Sequence, residues 1–256
     1  MNIGELYDYL DKIAPFNNQS KTDNSGLIVG DRNTEVKRIL VCLDVTNKVV
    51  VEAVEKGIDL IIAHHPLMYR PISKISSFDP LHALVKNNIN LIAVHTNLDV
   101  AAGGVVDLML KKFGFPGSDI PIIPCNPDGT GYGRITELDS PVSAKDLAEK
   151  CKTMFDCTVV RYVDAGKAIK KVGVTSGSAN ELVELALNEG CDALVCGEVS
   201  YNRFLFAADY GISLIEAGHF HTEDIYCDDL VERIKSQFKD IEIEKSVNSV
   251  DVCEYV

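Results

Sequence analysis

The chain has 256 residues, 46% hydrophobic and 25% charged, with 25 Lys and Arg against 38 Asp and Glu for a net charge of −13. That is enough chain for one large or two small globular domains with a buried core. Its acidity excludes a general affinity for phosphate backbones, so no nucleic-acid partner is expected. No stretch approaches the ~20 apolar residues of a membrane span, and the opening MNIGELYDYL lacks the basic start and apolar core of a signal peptide. The eight cysteines form no C-x-x-C pair. A cytoplasmic protein with reduced thiols and no membrane partner is therefore expected.

The first predicted element is a helix over 2–13, with Ile3, Leu6, Tyr7, Leu10 and Ile13 at helical spacing and Pro15 beyond its end. RILVCLDV, from 38, reads as a strand. TNKVVVEAVEKG reads as a helix between a Thr46 or Asn47 cap and Gly57. IDLIIA is a buried strand, 79–88 a helix with Pro80 in its first turn, and NINLIAV another buried strand running into HTNLD. Gly and Pro crowd 113–133, the best candidate boundary. A helix near 143–154 and a strand at 157–163 lead into a second series. Its members are strand KKVGVTSG, helix SANELVELALNEG with a Ser cap, strand CDALVCG, helix SYNRFLFAADYG, and strand ISLIEAG running into HFHTE. A long amphipathic helix is expected at about 223–238, with Glu223 in its first turn, and IEIEKS as a last strand.

Apolar strands alternating with helices predict an α/β fold of layered, mostly parallel sheets with flanking helices. The two series also resemble each other in detail. Aligning KGIDLIIAHH (56–65) with EGCDALVCGE (189–198) pairs Gly57 with Gly190 and Asp59 with Asp192. One helix and one strand later, HTNLD (95–99) pairs with HFHTE (219–223), both His-x-x-x-carboxylate after an apolar strand. Two similar, interlinked halves, 1–124 and 125–256, are expected from an internal duplication.

Five of the six histidines, His64, His65, His95, His219 and His221, fall at or just beyond predicted strand C-termini, where α/β sheets gather their ligand sites. A single histidine there is most often a hydrogen-bonded structural residue. That reading serves His221, and also His82 on its helix. It serves less well for His64 and His65 as a pair, joined by His95 and His219 and by Asp99 and Glu223 at matching spacing; these types together suit a pair of divalent ions. Neighbours in a strand point to opposite faces. His64 and His65 should therefore serve two ions, or flank one centre where Pro66 turns the strand into a loop. Mixed N and O donors disfavour Ca and do not choose among Zn, Mn, Fe, Co and Ni, of which Zn, Fe or Mn are expected. TSGSAN (175–180) and GTGYG (129–133) read as turns before they read as anion sites. Walker, dinucleotide and nucleophile-elbow motifs are absent.

The ordered set AHHPL, HTNLD followed by GGVVD, GEVS and GHFHTE resembles the Nif-three-like dinuclear metal-centre family, whose members are often labelled GTP cyclohydrolase 1 type 2 homologues. The resemblance spans almost the whole chain, from SGLIVGD at 25–31 to the final helix, and corresponds to the short form without an inserted domain. It implies two divalent ions per chain held by His64, His65, Asp99, His219 and Glu223, with His95 close by to orient water or move a proton. It also implies two interlinked α/β halves and a ring-like homohexamer. The activity implied is a metal-dependent hydrolase acting on a small phosphorylated or nucleotide-like molecule; the alternative is a non-enzymatic metal-binding or regulatory ring. Many members carry a His shortly after the GEVS motif, where this chain has Asn202.

Overall fold

A computed structural model describes residues 1–256. The chain forms two compact units, Met1–Leu98 with Tyr226–Val250, and Asp99–Ile225 with Asp251–Val256. The Gly- and Pro-rich stretch 113–133 lies inside the second unit. The chain passes between units within a short helix, at the start of a long one, and near the C-terminus.

The first unit opens with α1 (Ile3–Ile13), started by a capping box in which Asn2 and Glu5 each accept the other's backbone N–H. After β1 (Gly26–Val29) comes a run of β2 (Arg38–Cys42), α2 (Asn47–Lys56), β3 (Leu60–Ala63), α3 (Pro80–Lys86), β4 (Asn90–Ala93) and α4 (Thr96–Val100). Thr46 caps α2, and Gly57, at φ 63°, ends it in the left-handed conformation that glycine adopts without strain. β2, β3 and β4 pair in parallel and are wholly apolar apart from Arg38 and Asn90 at their starts, as expected of strands covered on both faces. Leu40, Cys42, Ile61, Ala63 and Leu91 pack against Val49, Val50 and Ala53 of α2 and Leu84 of α3. The alternate residues Ile39, Val41, Leu60, Ile62 and Ile92 point to the opposite face and are equally buried.

The second unit begins with α5 (Val105–Phe113), followed by a two-residue hairpin of β5 (Ile123–Pro124) and β6 (Gly131–Tyr132). Then come β7 (Arg134–Val142), α6 (Ala144–Phe155), β8 (Arg161–Val163), β9 (Ile169–Val174), α7 (Leu182–Asn188), β10 (Ala193–Cys196), α8 (Tyr201–Tyr210), β11 (Ser213–Glu216) and α9 (His219–Glu223). The sheet order is β7-β9-β10-β11-β8, parallel at its centre and antiparallel at both edges. One face packs against α5 and α6 through Val106, Leu110, Leu147 and Cys151. The other packs against α7 and α8 through Val183, Ala186 and Ala207. The unit is a three-layer sandwich.

α10 (Ile225–Gln237) and β12 (Glu242–Lys245) return the chain to the first unit, where β12 completes the order β1-β4-β3-β2-β12 in parallel with β2. The same β-α-β-α-β run thus occurs once in each sheet, and its details repeat. Asp59 accepts the backbone N–H groups of Lys37 and Arg38 at 2.8 and 2.9 Å. Asp192 accepts those of Lys170 and Lys171 at 3.0 and 2.9 Å. The paired aspartates thus perform one task, fixing the entry of the first parallel strand.

Two local expectations are corrected. The long helix at 223–238 is two helices, α9 and α10, broken at Asp224. Helix begins directly after Gly218, whose φ of 87° turns the chain out of β11, so Glu223 ends a short helix instead of opening a long one. A reading of Glu223 as a mere first-turn acid stabilised by a helix dipole therefore falls away. Ser178 does not cap α7 either. It continues the parallel ladder by bridging Glu198, and α7 begins later without a side-chain cap.

The return of the chain is pinned by one buried carboxylate. Glu52 of α2, 4% exposed, accepts hydrogen bonds from Lys56 Nζ at 2.8 Å, Ser246 Oγ at 2.6 Å and Asn248 Nδ2 at 2.9 Å, and from the backbone of Val247. Burial pushes its pKa up, but these donors outweigh burial and hold it at about 2. A carboxylate held this low stabilises the fold above its unfolded value near ~4.3 and loses that contribution as pH falls through 2. Glu52→Gln is expected to lower the unfolding free energy at pH 7 by roughly 2–3 kcal/mol. The difference from the native protein should shrink as urea unfolding is repeated from pH 5 towards pH 2. Equal stability at pH 7 would contradict the role given to Glu52.

Candidate metal centre

In the first unit the sheet delivers three imidazoles to one place. β3 ends at Ala63, and His64 and His65 follow in a bend. Their backbone N–H groups still bond to the carbonyls of Cys42 and Leu43 at 3.2 and 3.0 Å, so the bend is anchored to the end of β2. Because the pleat has ended, the two side chains do not diverge as strand neighbours would. Their rings lie 5.2 Å apart, and that of His95, just beyond β4, lies 5.1 Å from His64 and 5.4 Å from His65. One ligand atom from each of the three falls within 4.8 Å of the others.

Each ring is oriented through Nδ1. His64 Nδ1 donates to the Val94 carbonyl, His65 Nδ1 to Asp44 and His95 Nδ1 to Asp23, each at 2.8 Å. A carbonyl or carboxylate acceptor requires the proton on Nδ1, which makes Nε2 the lone-pair nitrogen of the neutral ring. His64 is fully buried, and its ring also lies 5.0 Å from that of Tyr226. Burial raises the pKa of Asp23, but hydrogen bonds from His95 and Thr96 overcome that and hold it well below the usual carboxylate range.

The second unit repeats the setting at the end of β11. His219 and Glu223 lie one turn apart on α9, with His219 Nε2 2.9 Å from Glu223 and Nδ1 3.2 Å from Glu198. Burial disfavours the imidazolium, but Glu223 and then Glu198 outweigh it and raise the His219 pKa to about 9. These carboxylates collect positive charge. Gly177, at φ 54°, makes room for them. A Cβ there would stand 2.1 Å from Glu223 Oε1 and 3.3 Å from His219 Nε2. Asp99, half-buried on α4, is the first residue of the second unit and stands four positions after His95, as Glu223 does after His219. His221 turns away to Asp251 at 3.2 Å, and His82 is exposed on α3. His221 is thus tied to a carboxylate within its own unit.

The family model described as Duf34/NIF3 (NGG1p interacting factor 3) matches residues 1–251. The chain belongs to the Duf34/NIF3 family. Among relatives in this family are two proteins named GTP cyclohydrolase 1 type 2 homolog. That of Clostridium perfringens is 32% identical over 266 residues, spanning 100% of both chains. That of Clostridium acetobutylicum is 34% identical over 231 residues, spanning 87% of this chain and 85% of its own. The crystal structure of hypothetical protein SA1388 from Staphylococcus aureus is similar at a TM-score of 0.90 and 28% identity, covering 100% of this chain and 99% of that one. The NIF3 fold is thus shared over the full length.

The donor chemistry of this NIF3-family chain fits divalent ions. Three imidazoles present lone-pair nitrogens while their opposite nitrogens are fixed by acceptors, the arrangement that orients metal-ligating histidines and raises their basicity. In the second unit, the buried carboxylate beside His219 is an oxygen donor of the kind borderline metals accept. Asp23, Asp44 and Gly177 were missed by sequence reasoning. Asp44 carried a weak signal as an acid at a strand end. Asp23 carried none, since it lies in the irregular stretch SKTDNS. Glu198 was present in the GEVS motif without a role. TSGSAN, weighed as a turn or an anion site, holds Gly177 against the protein's own carboxylate.

Gly177→Ala tests this packing. The new Cβ is expected to displace the Glu223 carboxylate, so that metal content measured by elemental analysis falls, while circular dichroism of the apo protein stays native-like and its melting temperature drops by only a few degrees from alanine's strain at this φ. A fully metallated, folded Gly177→Ala protein would contradict the close approach of Gly177 to Glu223.

Proposed function

We propose that this chain is a dinuclear metal-dependent hydrolase of the NIF3 family, acting on a small phosphorylated or nucleotide-like molecule. His64, His65, Asp99, His219 and Glu223 hold two divalent ions, with Zn, Fe or Mn the expected choices. The observation that supports this most is the convergence of His64, His65 and His95 with each Nδ1 held by an acceptor. When bound, such ions supply Lewis acidity towards a phosphoryl or carbonyl oxygen and bring the pKa of water down to ~7. The residues of the chain do the rest. His95 Nε2 accepts a proton from the attacking water. Asp23 keeps the His95 Nδ1–H in place and stabilises the imidazolium that forms. Buried His64 keeps bulk water from one side of the cluster. Asn202, where many members have a histidine, is exposed on the first turn of α8, so in this reading it gives up any proton-transfer role at that position.

In the same reading the two halves arose by duplication, for which the paired roles of Asp59 and Asp192 speak, and the protein works in the cytoplasm as a homohexameric ring. No helix of the structure is long and apolar enough to cross a membrane. Light scattering should give a particle near six times the 28.0 kDa chain; a monomer at all micromolar concentrations would contradict the ring.

Two further outcomes test the centre. Elemental analysis of protein purified without chelator should give two ions per chain, and His64→Ala and His219→Ala should each reduce that number; one ion, unchanged in His219→Ala, would contradict the dinuclear reading. With metal restored and a substrate found by an untargeted metabolite-turnover screen, Asp23→Asn should lower kcat by about 10- to 100-fold while both ions stay bound. Full activity in that variant would remove Asp23 and His95 from proton transfer.

A further inference from the structure

The histidine cluster has a neighbour that none of the foregoing uses. Between Pro66 and α3 the chain runs LMYRPISKISSFD, and residues 69–78 of it are exposed throughout. Its root is tied to the cluster twice. Asn24 Nδ2, one residue after Asp23, donates to the Met68 carbonyl at 2.7 Å. The Tyr69 ring meets the His95 ring edge-on at 5.7 Å and 79°, while remaining 49% exposed. An aromatic face therefore stands at the rim of the site, half open to solvent.

Charge gives the loop a second property. In a chain with 13 more acids than bases, residues 66–78 contain Arg70 and Lys74 and no Asp or Glu. Both side chains are exposed, and neither makes an ion pair or a side-chain hydrogen bond. Arg38, Lys56, Arg134 and Arg161, by contrast, pair with carboxylates. Exposed cations on a loop rooted at the donor cluster are available to an anion, and the guanidinium fork matches phosphate geometry. An exposed aromatic face accepts a base by stacking.

We propose that residues 69–78 form a recognition loop for a ligand carrying both an aromatic ring and a phosphate, of the nucleoside monophosphate class. Tyr69 stacks on the ring, and Arg70 and Lys74 hold the phosphate. This rests on the proposed reading of the histidine cluster as the reactive centre and names the ligand class for it. The loop adds no donor to the metal, so its variants should leave metal content untouched.

Isothermal titration of the full, metal-loaded chain with AMP, adenosine and ribose 5-phosphate tests the proposal. AMP should bind more tightly than either fragment. Tyr69→Leu should weaken AMP by about tenfold and leave ribose 5-phosphate unchanged. Arg70→Gln with Lys74→Gln should weaken AMP and ribose 5-phosphate by about tenfold, flatten the salt dependence, and leave adenosine unchanged. The proposal is overturned if AMP binds no better than adenosine, if no probe binds, or if the variants bind as the native chain does. Elemental analysis of the same samples keeps the two readings apart. Two ions per chain with no effect of the loop variants removes the loop and leaves the centre standing. AMP binding that depends on the loop in a chain without metal removes the centre and leaves the loop.

Discussion

The ring orientation of His64, His65 and His95 depends on three hydrogen bonds that commit their Nδ1 atoms. An imidazole offers two nitrogens and, when neutral, one proton, so fixing that proton to a backbone carbonyl or carboxylate decides which nitrogen can ligate and where it points. Two of the acceptors sit at strand ends. Val94 follows β4 directly, and Asp44 lies two residues beyond β2. Asp23 is held in turn by Thr96, whose N–H and hydroxyl both donate to it. A polar ring as buried as His64 would be costly without such a partner.

The parallel sheet makes this arrangement possible. Its strands run in register, so their carboxyl ends arrive together, and the bend after β3 gathers His64 and His65 to one side. The amino ends are fixed by a different device. Asp59 and Asp192, one in each sheet, accept two successive backbone N–H groups at the entry of the first strand. With entry and register fixed, the position of the strand end follows. Stability and site geometry are thereby set by separate residues, which allows the loops beyond the strands to vary in chemistry while the sheet does not.

Much of this was legible in the sequence because the signals are local. The helix caps at Thr46 and Gly57, the buried apolar strands and the His-x-x-x-carboxylate spacing all follow from neighbours within a few positions. What the sequence left open depends on contacts distant in the chain. Asp23 meets His95 across 72 positions and Asp44 meets His65 across 21, and an acid in a polar loop carries no periodicity to mark it. The break at Asp224 was hidden because 219–237 is almost continuously helical, so an unbroken amphipathic pattern concealed that Glu223 closes one helix before the next begins. Ser178 looked like a cap on composition alone, but the unsatisfied ladder beside β10 claimed it first.

The central claim is that Nδ1 of His64, His65 and His95 stays protonated, which leaves Nε2 of His64 and His65 to meet a metal and Nε2 of His95 to meet water. Nitrogen-15 NMR of the imidazoles during titration of the apo protein with zinc tests it most directly. The expected result is a large shift of the His64 and His65 Nε2 resonances with the Nδ1–H signals of all three rings retained throughout, including that of His64 to the Val94 carbonyl. Loss of those Nδ1–H signals, or His64 and His65 Nε2 resonances that zinc leaves unmoved, would contradict the account.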